Sequence, residues 1–312
     1  MPVCAAGGPR GASWALPYNG CMNDLPADID SINHVGMAVR DLDAAARRFE
    51  AMGFMLTPYS PHSAAWKPGA AVVPQGSGNR CVMLPHNYLE ILASESPAAP
   101  AERIETFLRR HQGAHIICFN SATPDAIDAR LVAAGIGTSG VIPLQREIDT
   151  PDGLRTAKFR RVQFAPDDSP EGYIQVAHHL TPQYIYQPRY TAHANGATLL
   201  SDTLVVADDV EHFAAKYARY LGVPATREGA ARRFRFALGD RLTLLPWRDA
   251  AGWLPGTLMP PPPCIAGVAF RVPDLAAQRA RLAAAGFTVR DAGRRLLVPA
   301  EEACGVAVLF EA

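Results

Sequence analysis

Ser31-Ile-Asn-His-Val-Gly-Met-Ala-Val-Arg-Asp-Leu-Asp-Ala-Ala-Ala-Arg-Arg-Phe-Glu-Ala-Met-Gly-Phe54 decides the fold. It reads as one strand, a tight turn and one helix. Ile32 to Val39 is an apolar run of strand length with a single His inside it. Asp41 suits a helix N-cap, because its carboxylate can accept a hydrogen bond from a free N–H of the first turn. Leu42, Ala45, Ala46, Phe49 and Met52 then recur at helical spacing. Gly53 stands where a helix ends in a left-handed residue.

The same phrase returns three times. A strand, a turn with Asp or Pro, an amphipathic helix, a Gly and a further strand occupy residues 32–54, 115–136, 199–223 and 265–287. In module one, Phe54–Pro58 follows the helix as a short extended piece. A loop holds Trp66, Lys67, Pro68 and Gly69, and strands are expected at Arg80–Leu84 and Tyr88–Leu92. Ser96 to Ala101 reads as a linker and Glu102–Arg110 as a short helix. Module two runs from Ala114, with Thr123-Pro-Asp opening its helix, strands around the turn Pro151-Asp-Gly153, and a last strand Tyr173–His178. Residues 180–198 are an aromatic, Pro-containing crossing segment, expected to be ordered against the fold. Module three starts at Leu199–Val206, with later strands at Arg233–Ala237 and Leu242–Leu245. A Pro-rich linker leads to module four at Cys264–Val272, whose strands are expected near Phe287–Arg290, Arg295–Val298 and Val306–Phe310. One such unit buries little alone. Two side by side make an eight-stranded curved sheet around a concave face.

Composition narrows the class. The chain has 312 residues, enough for sizeable cores, with 48% hydrophobic and 19% charged residues, as in globular domains. Its 30 basic and 30 acidic residues cancel, which gives no electrostatic reason to propose nucleic acid or an anionic membrane as partner. No apolar run approaches the roughly 20 residues that span a bilayer. Cys4, Cys21, Cys81, Cys118, Cys264 and Cys304 have no paired spacing, which points to a reducing, cytoplasmic setting. Met1 to Cys21 is rich in Gly, Ala and Pro without a helical period. It is expected to be a flexible arm, or translation begins at Met22.

His34-Val-Gly-Met-Ala-Val-Arg-Asp-Leu-Asp and Asn87-Tyr-Leu-Glu-Ile-Leu resemble the first and last strands of a glyoxalase-like module of the vicinal oxygen chelate superfamily, which also includes bleomycin-resistance proteins and extradiol dioxygenases. His179-Leu-Thr-Pro followed by His193-Ala-Asn-Gly-Ala is similar to a later motif of a bacterial glyoxalase-like domain family. The resemblance covers residues 31–200 well and the remainder loosely. It implies an α+β fold of four βαβββ modules in two pairs, each pair a cupped mixed sheet with helices outside. The expected divisions are a flexible arm at 1–30, a metal-bearing module pair at 31–190, and a degenerate pair at 191–312.

The resemblance also implies a metal site from the first and last strands of two paired modules. His34 and Glu90 come from module one and His115 from module two, with one divalent ion of Fe, Mn, Ni, Co or Zn. Two imidazoles and a carboxylate make a facial set with open positions. Gln175 answers Glu90, in Tyr173-Ile-Gln-Val against Tyr88-Leu-Glu-Ile. A neutral amide is a weaker ligand and a poor base, which makes a glyoxalase-type isomerisation less favoured. His179, four residues on with the same strand parity, is the alternative fourth group. Asn79, Arg80, His178 and His193 are candidates for substrate contacts, each with a structural role as its alternative. Arg146, Arg155, Lys158, Arg160 and Arg161 make module two locally basic: mostly a solvated face, with one or two available to a carboxylate or phosphate. Trp66, Tyr184, Tyr186 and Tyr190 either line a pocket or pack in the core. The positions answering His34 in the second pair are about Ser201 and Gly267, and Glu311 lacks His partners there.

The expected function is metal-dependent chemistry on a small oxygen-chelating substrate, as isomerase, lyase or oxygenase. The alternative is a non-catalytic small-molecule binding or sequestering protein. An extradiol-type dioxygenase would place its ligands in the second pair, where the sequence offers none. The oligomeric state, a homodimer included, is left open.

Overall fold

The computed structural model describes residues 28–64, 71, 73–96, 101–165 and 167–312. Of the expected arm, residues 1–27 lie outside the described residues, as do Trp66 to Gly69 and most of the Ser96–Ala101 linker. Asp28 and Ile29 pack against the fold: Arg130 Nε donates to Asp28 Oδ2 at 2.6 Å, and Ile29 is buried.

Module one is β1 (Ser31–Ala38), α1 (Leu42–Ala51), β2 (Ser60–Ala64), β3 (Val73–Met83) and β4 (Tyr88–Ser94). After α2 (Glu102–Arg110), module two is β5 (Gly113–Asn120), α3 (Pro124–Ala133), β6 (Ile142–Thr150), β7 (Gly153–Gln163) and β8 (Tyr173–His179). A turn of helix, α4 (Pro182–Ile185), lies in the crossing segment. Module three is β9 (Leu199–Ala207), α5 (Val210–Leu221), β10 (Thr226–Glu228), β11 (Ala231–Arg235) and β12 (Arg241–Pro246). After α6 (Trp247–Trp253), module four is β13 (Cys264–Arg271), α7 (Leu275–Ala284), β14 (Arg290–Ala292), β15 (Arg295–Val298) and β16 (Ala307–Glu311).

Among the described residues these strands form two eight-stranded mixed sheets. Their orders are β2-β3-β4-β1-β5-β8-β7-β6 and β10-β11-β12-β9-β13-β16-β15-β14. The modules of each pair join at their first strands, β1 antiparallel to β5 and β9 antiparallel to β13. All eight residues of β1 are buried, which explains its unbroken apolar reading. At the centre of the β1–β5 seam Gly36 faces Ile116, and a Cβ on Gly36 would meet the Ile116 side chain at 2.9 Å. The glycine lets the two modules close up.

The punctuation of the repeat is physical. Asp41, Asp209 and Asp274 each cap a module helix, accepting from the backbone N–H three residues on at 2.8, 2.9 and 2.9 Å. Each cap contributes about 1 kcal/mol. Gly53, Gly135, Gly222 and Gly286, placed after the four module helices, all have positive φ.

The helix-covered faces of both sheets share one core. Phe54 packs on Phe270 and Phe310 at ring separations of 4.7 and 5.9 Å, and Phe119 meets Tyr217 at 6.4 Å. The opposite faces are the cups. In the second sheet that face is filled: Leu204, Val206, Leu245 and Leu309 pack with Ala250 and Leu254 in and after α6. Beside this plug, fully buried Asp202 accepts from Arg241 Nε at 2.9 Å, Arg295 Nη2 at 2.8 Å and Thr243 Oγ1 at 2.8 Å. Glu311 pairs with the same two arginines. In the first sheet the cup is only partly covered. Ile104, Phe107 and Leu108 of α2 close one end, and Ile185, Tyr184, Tyr186 and Tyr190 of the crossing segment close the other.

Two expectations need correction. Phe54–Pro58 is not a strand: Phe54 turns into the core between the sheets, and the second strand of module one is Ser60–Ala64. Pro61 argues against a strand in sequence, but β2 is an edge strand, where a missing donor costs little. The stretch after Leu245 holds α6 before the Pro-rich linker begins. No helix among the described residues is long and apolar enough to cross a membrane.

Candidate functional site

The open part of the first cup is a cavity of about 170 Å³. Strand alternation decides which side chains reach it. His34 comes from β1, Tyr88 and Glu90 from β4, and Gln175, Ala177 and His179 from β8. The edge strand β2 adds His62. Arg146 of β6, Phe159 and Arg161 of β7, and Arg103 of α2 complete the far wall.

Glu90 is the one carboxylate among the lining residues. Its Oε1 accepts from Asn79 Nδ2 at 2.5 Å and lies 3.6 Å from His62 Nε2. Its Oε2 lies 3.8 Å from His34 Nε2. Burial pushes the Glu90 carboxyl up. The neighbouring His62 and the electrostatic influence of His34, His62 and Arg146 outweigh it and hold the group well below the usual carboxylate range. Glu90 is therefore ionised at neutral pH.

His34 is held by a chain of amides with a fixed direction. Asp30, an acceptor when ionised, takes a hydrogen bond from Asn120 Nδ2 at 2.8 Å. Asn120 Oδ1 then accepts from Asn33 Nδ2 at 3.2 Å, which turns Asn33 Oδ1 to His34 Nδ1 at 2.7 Å. An amide oxygen cannot donate, so Nδ1 carries the proton of the neutral ring. Burial lowers the His34 pKa to about 4, with Glu90 opposing and Arg146 assisting. At neutral pH the Nε2 lone pair thus faces an ionised carboxylate oxygen. Two acceptors facing each other suit a cation between them. Metal–nitrogen and metal–oxygen bonds of about 2.0–2.2 Å allow one ion to touch atoms that far apart. The fit is of two pairs sharing Glu90. Among the described residues no group of three or more His, Cys, Asp or Glu side chains could hold a metal ion as placed.

His115 does not join this group. Its ring stacks on Phe107 at 4.8 Å and 5°, and its Nε2 meets the His111 carbonyl at 2.8 Å. The register gives the reason. His34 pairs with Tyr88 and Gly36 with Glu90, while Ile116 pairs with Tyr173 and Cys118 with Gln175. Ile116, not His115, answers His34, and a one-residue offset puts a side chain on the other face.

Gln175 and His179 both line the cavity. His179 lies 5.0 Å from the Phe159 ring and 5.6 Å from Tyr186, its Nδ1 is buried without a hydrogen-bond partner, and burial lowers its pKa to about 3. Asn79 reaches Glu90 from β3. Arg80, one residue on, turns to the helix side, 4.0 Å from Asp43. His178 likewise has the wrong parity for the cavity. His193 uses both ring nitrogens on the backbone, at Met55 N–H (3.0 Å) and Met83 C=O (2.7 Å), between the sheets. Sequence reasoning missed His62, because its strand was placed several residues early. Its Nδ1 is tied to Ser77 Oγ at 3.0 Å.

Residues 32–221 match the family model described as a glyoxalase-like domain. No curated protein matches the chain. Several solved structures share the fold over its length. A hypothetical protein from Staphylococcus aureus aligns with a TM-score of 0.58 and 12% identity, over 90% of this chain and 98% of that one. A mutant of 4-hydroxymandelate synthase from Streptomyces coelicolor gives 0.55 and 13%, over 91% and 92%. A fusion of a xylose isomerase-like TIM barrel with 4-hydroxyphenylpyruvate dioxygenase gives 0.54 and 14%, over 94% of this chain and 51% of the fusion. At these identities the likeness is one of fold.

Proposed function

The chain belongs to the glyoxalase-like domain family, and on that premise we propose that it is a divalent-metal-dependent enzyme acting on a small oxygen-chelating substrate in the first cup. His34, His62 and Glu90 would hold the ion, which supplies Lewis-acid polarisation of a substrate oxygen. The observation that carries the reading is the His34 Nε2 lone pair, fixed by the amide chain from Asp30 and turned toward ionised Glu90.

The chain's own groups have separable roles. Asn79 holds Glu90 in place through its hydrogen bond. Gln175 offers an amide to a substrate oxygen. His179 is neutral and has a free Nδ1 in a buried wall, so it can accept a proton from a bound substrate; an anion beside it raises its low basicity. α2 and the crossing segment exclude water from two ends of the cup. Isomerisation, elimination and oxygenation all suit this arrangement. Both walls come from one chain, so the site needs no second copy. The four described cysteines are free, which supports a reducing, cytoplasmic setting. In this reading residues 31–190 form the working unit and 191–312 a second pair without a metal role.

A non-catalytic binding protein is the second reading, favoured by the lack of a closed three-ligand group among the described residues. Metal analysis of protein purified without added metal separates the two. Near-stoichiometric metal in wild type, lost in His34→Ala and in His62→Ala, supports the enzyme. No metal, and no uptake of Mn, Fe, Ni, Co or Zn, sinks it.

A further inference from the structure

Among the described residues three arginines of the same cavity make no ion pair. Arg103, Arg146 and Arg161 line it with Glu90 as the one carboxylate among the described lining residues, so three guanidinium groups less one carboxylate leave these four with a charge of +2. Arginines elsewhere in the fold are commonly matched: Arg241 and Arg295 share Asp202 and Glu311, Arg233 pairs with Glu228, and Arg130 with Asp28. The cavity arginines rest on aromatic faces instead. Arg146 lies 5.4 Å from the Phe159 ring, and Arg103 and Arg161 lie 5.7 and 5.9 Å from Tyr173. Arg161 also donates to the Tyr173 hydroxyl. A ring face steadies a cation without cancelling its charge. Arg146 Nε, moreover, is buried without a hydrogen-bond partner among the described residues. A buried donor left unmade in this way is available to a ligand oxygen.

We propose that Arg146, with Arg161 and Arg103, forms an anion-binding wall that selects an organic carboxylate with a flat apolar body. The guanidinium fork matches a carboxylate in two parallel hydrogen bonds. The size of the cavity, about 170 Å³, is close to that of engineered cavities of about 150 Å³ that take up benzene. Tyr88, Leu92, Ile116, Leu144 and Phe159 supply apolar wall that a free inorganic anion would leave unused. Along β6 and β7 Arg146 pairs with Ala157 and Arg161 with Ile142, so the wall is extended: Arg146 lies on the side of His34 and Glu90, with its charge acting on both, and Arg161 meets Arg103 at Tyr173. This names the substrate class of the proposed enzyme and rests on that reading.

The test is calorimetric titration of the chelator-treated full chain with benzoate, benzyl alcohol and inorganic phosphate, for wild type, Arg146→Gln and Arg248→Gln. Arg248 is a surface arginine remote from the cavity lining. Benzoate is expected to bind wild type and Arg248→Gln alike, about tenfold or more tighter than it binds Arg146→Gln, and about tenfold tighter than benzyl alcohol binds wild type. Absence of benzoate binding, equal binding to Arg146→Gln, or tighter binding of phosphate than of benzoate overturns the proposal. If Arg146→Gln does not fold, Arg161→Gln is read in its place. Metal content of the same samples before chelation reports separately: metal without benzoate binding defeats the anion wall alone, and benzoate binding without metal defeats the metal enzyme alone.

Discussion

Asn79→Ala tests how the central carboxylate is held. In wild type the Asn79 amide donates to Glu90 Oε1 at 2.5 Å inside a buried wall. A hydrogen bond to a charged group contributes about 1.5–3 kcal/mol. A hydrogen bond to the ionised form favours that form, so its loss raises the Glu90 carboxyl from its depressed value. A carboxylate depressed in the folded state adds stability above its unfolded value, here 4.5, and that stability is lost as the pH falls through the folded value. Asn79 acts on the folded value alone. The unfolded value therefore cancels from the comparison: the gap between wild type and Asn79→Ala is constant from neutral pH down past 4.5 and closes only as the pH falls through the two depressed folded values. Urea unfolding of chelator-treated protein, followed by far-ultraviolet circular dichroism at pH 7.5, 5.5 and 4, measures it. The expected gap at pH 7.5 is about 1.5–3 kcal/mol. A gap below about 0.5 kcal/mol, the range of ordinary surface substitutions, refutes the reasoning. So does a gap that widens between pH 5.5 and 4. The same variant should bind metal about 10- to 100-fold more weakly, the usual effect of losing a partner that orients a ligand.

His115→Phe should leave metal content unchanged and shift stability by no more than about 1 kcal/mol: the stack on Phe107 survives, one hydrogen bond to His111 goes, and an unpartnered buried Nδ1 goes with it. Metal analysis and thermal unfolding check this, and loss of metal would restore His115 as a ligand. Asp202→Asn should destabilise the protein by about 3–5 kcal/mol in urea unfolding, because Arg241 and Arg295 are left buried with Glu311 as their remaining acid. Metal uptake by the first cup should be unaffected.

The repeat was legible because it is written in local chemistry. Glycines after helices and apolar first strands recur in all four modules and Asp caps in three of them, and each works within a few residues of itself. The matched strands Tyr88-Leu-Glu-Ile and Tyr173-Ile-Gln-Val were legible for the same reason: in β4 Glu90 pairs with Gly36 and in β8 Gln175 pairs with Cys118. His115 misled because the face of a strand residue depends on register between distant strands, and a single step reverses it. His62 was hidden on an edge strand begun by Ser60-Pro61, a pattern with no periodicity to mark it. Arg146 was visible as one of several basic residues in module two. Its distinction from Arg155 or Arg160 is that it lines the cavity, which tertiary structure alone decides.

The plugged second cup has a consequence for counting. Two like sheets invite the expectation of two sites per chain, yet α6 and the Asp202 cluster fill the space that the first sheet leaves open. Ligand should therefore saturate this duplicated molecule at one equivalent per chain, along a simple hyperbola without cooperativity between its halves.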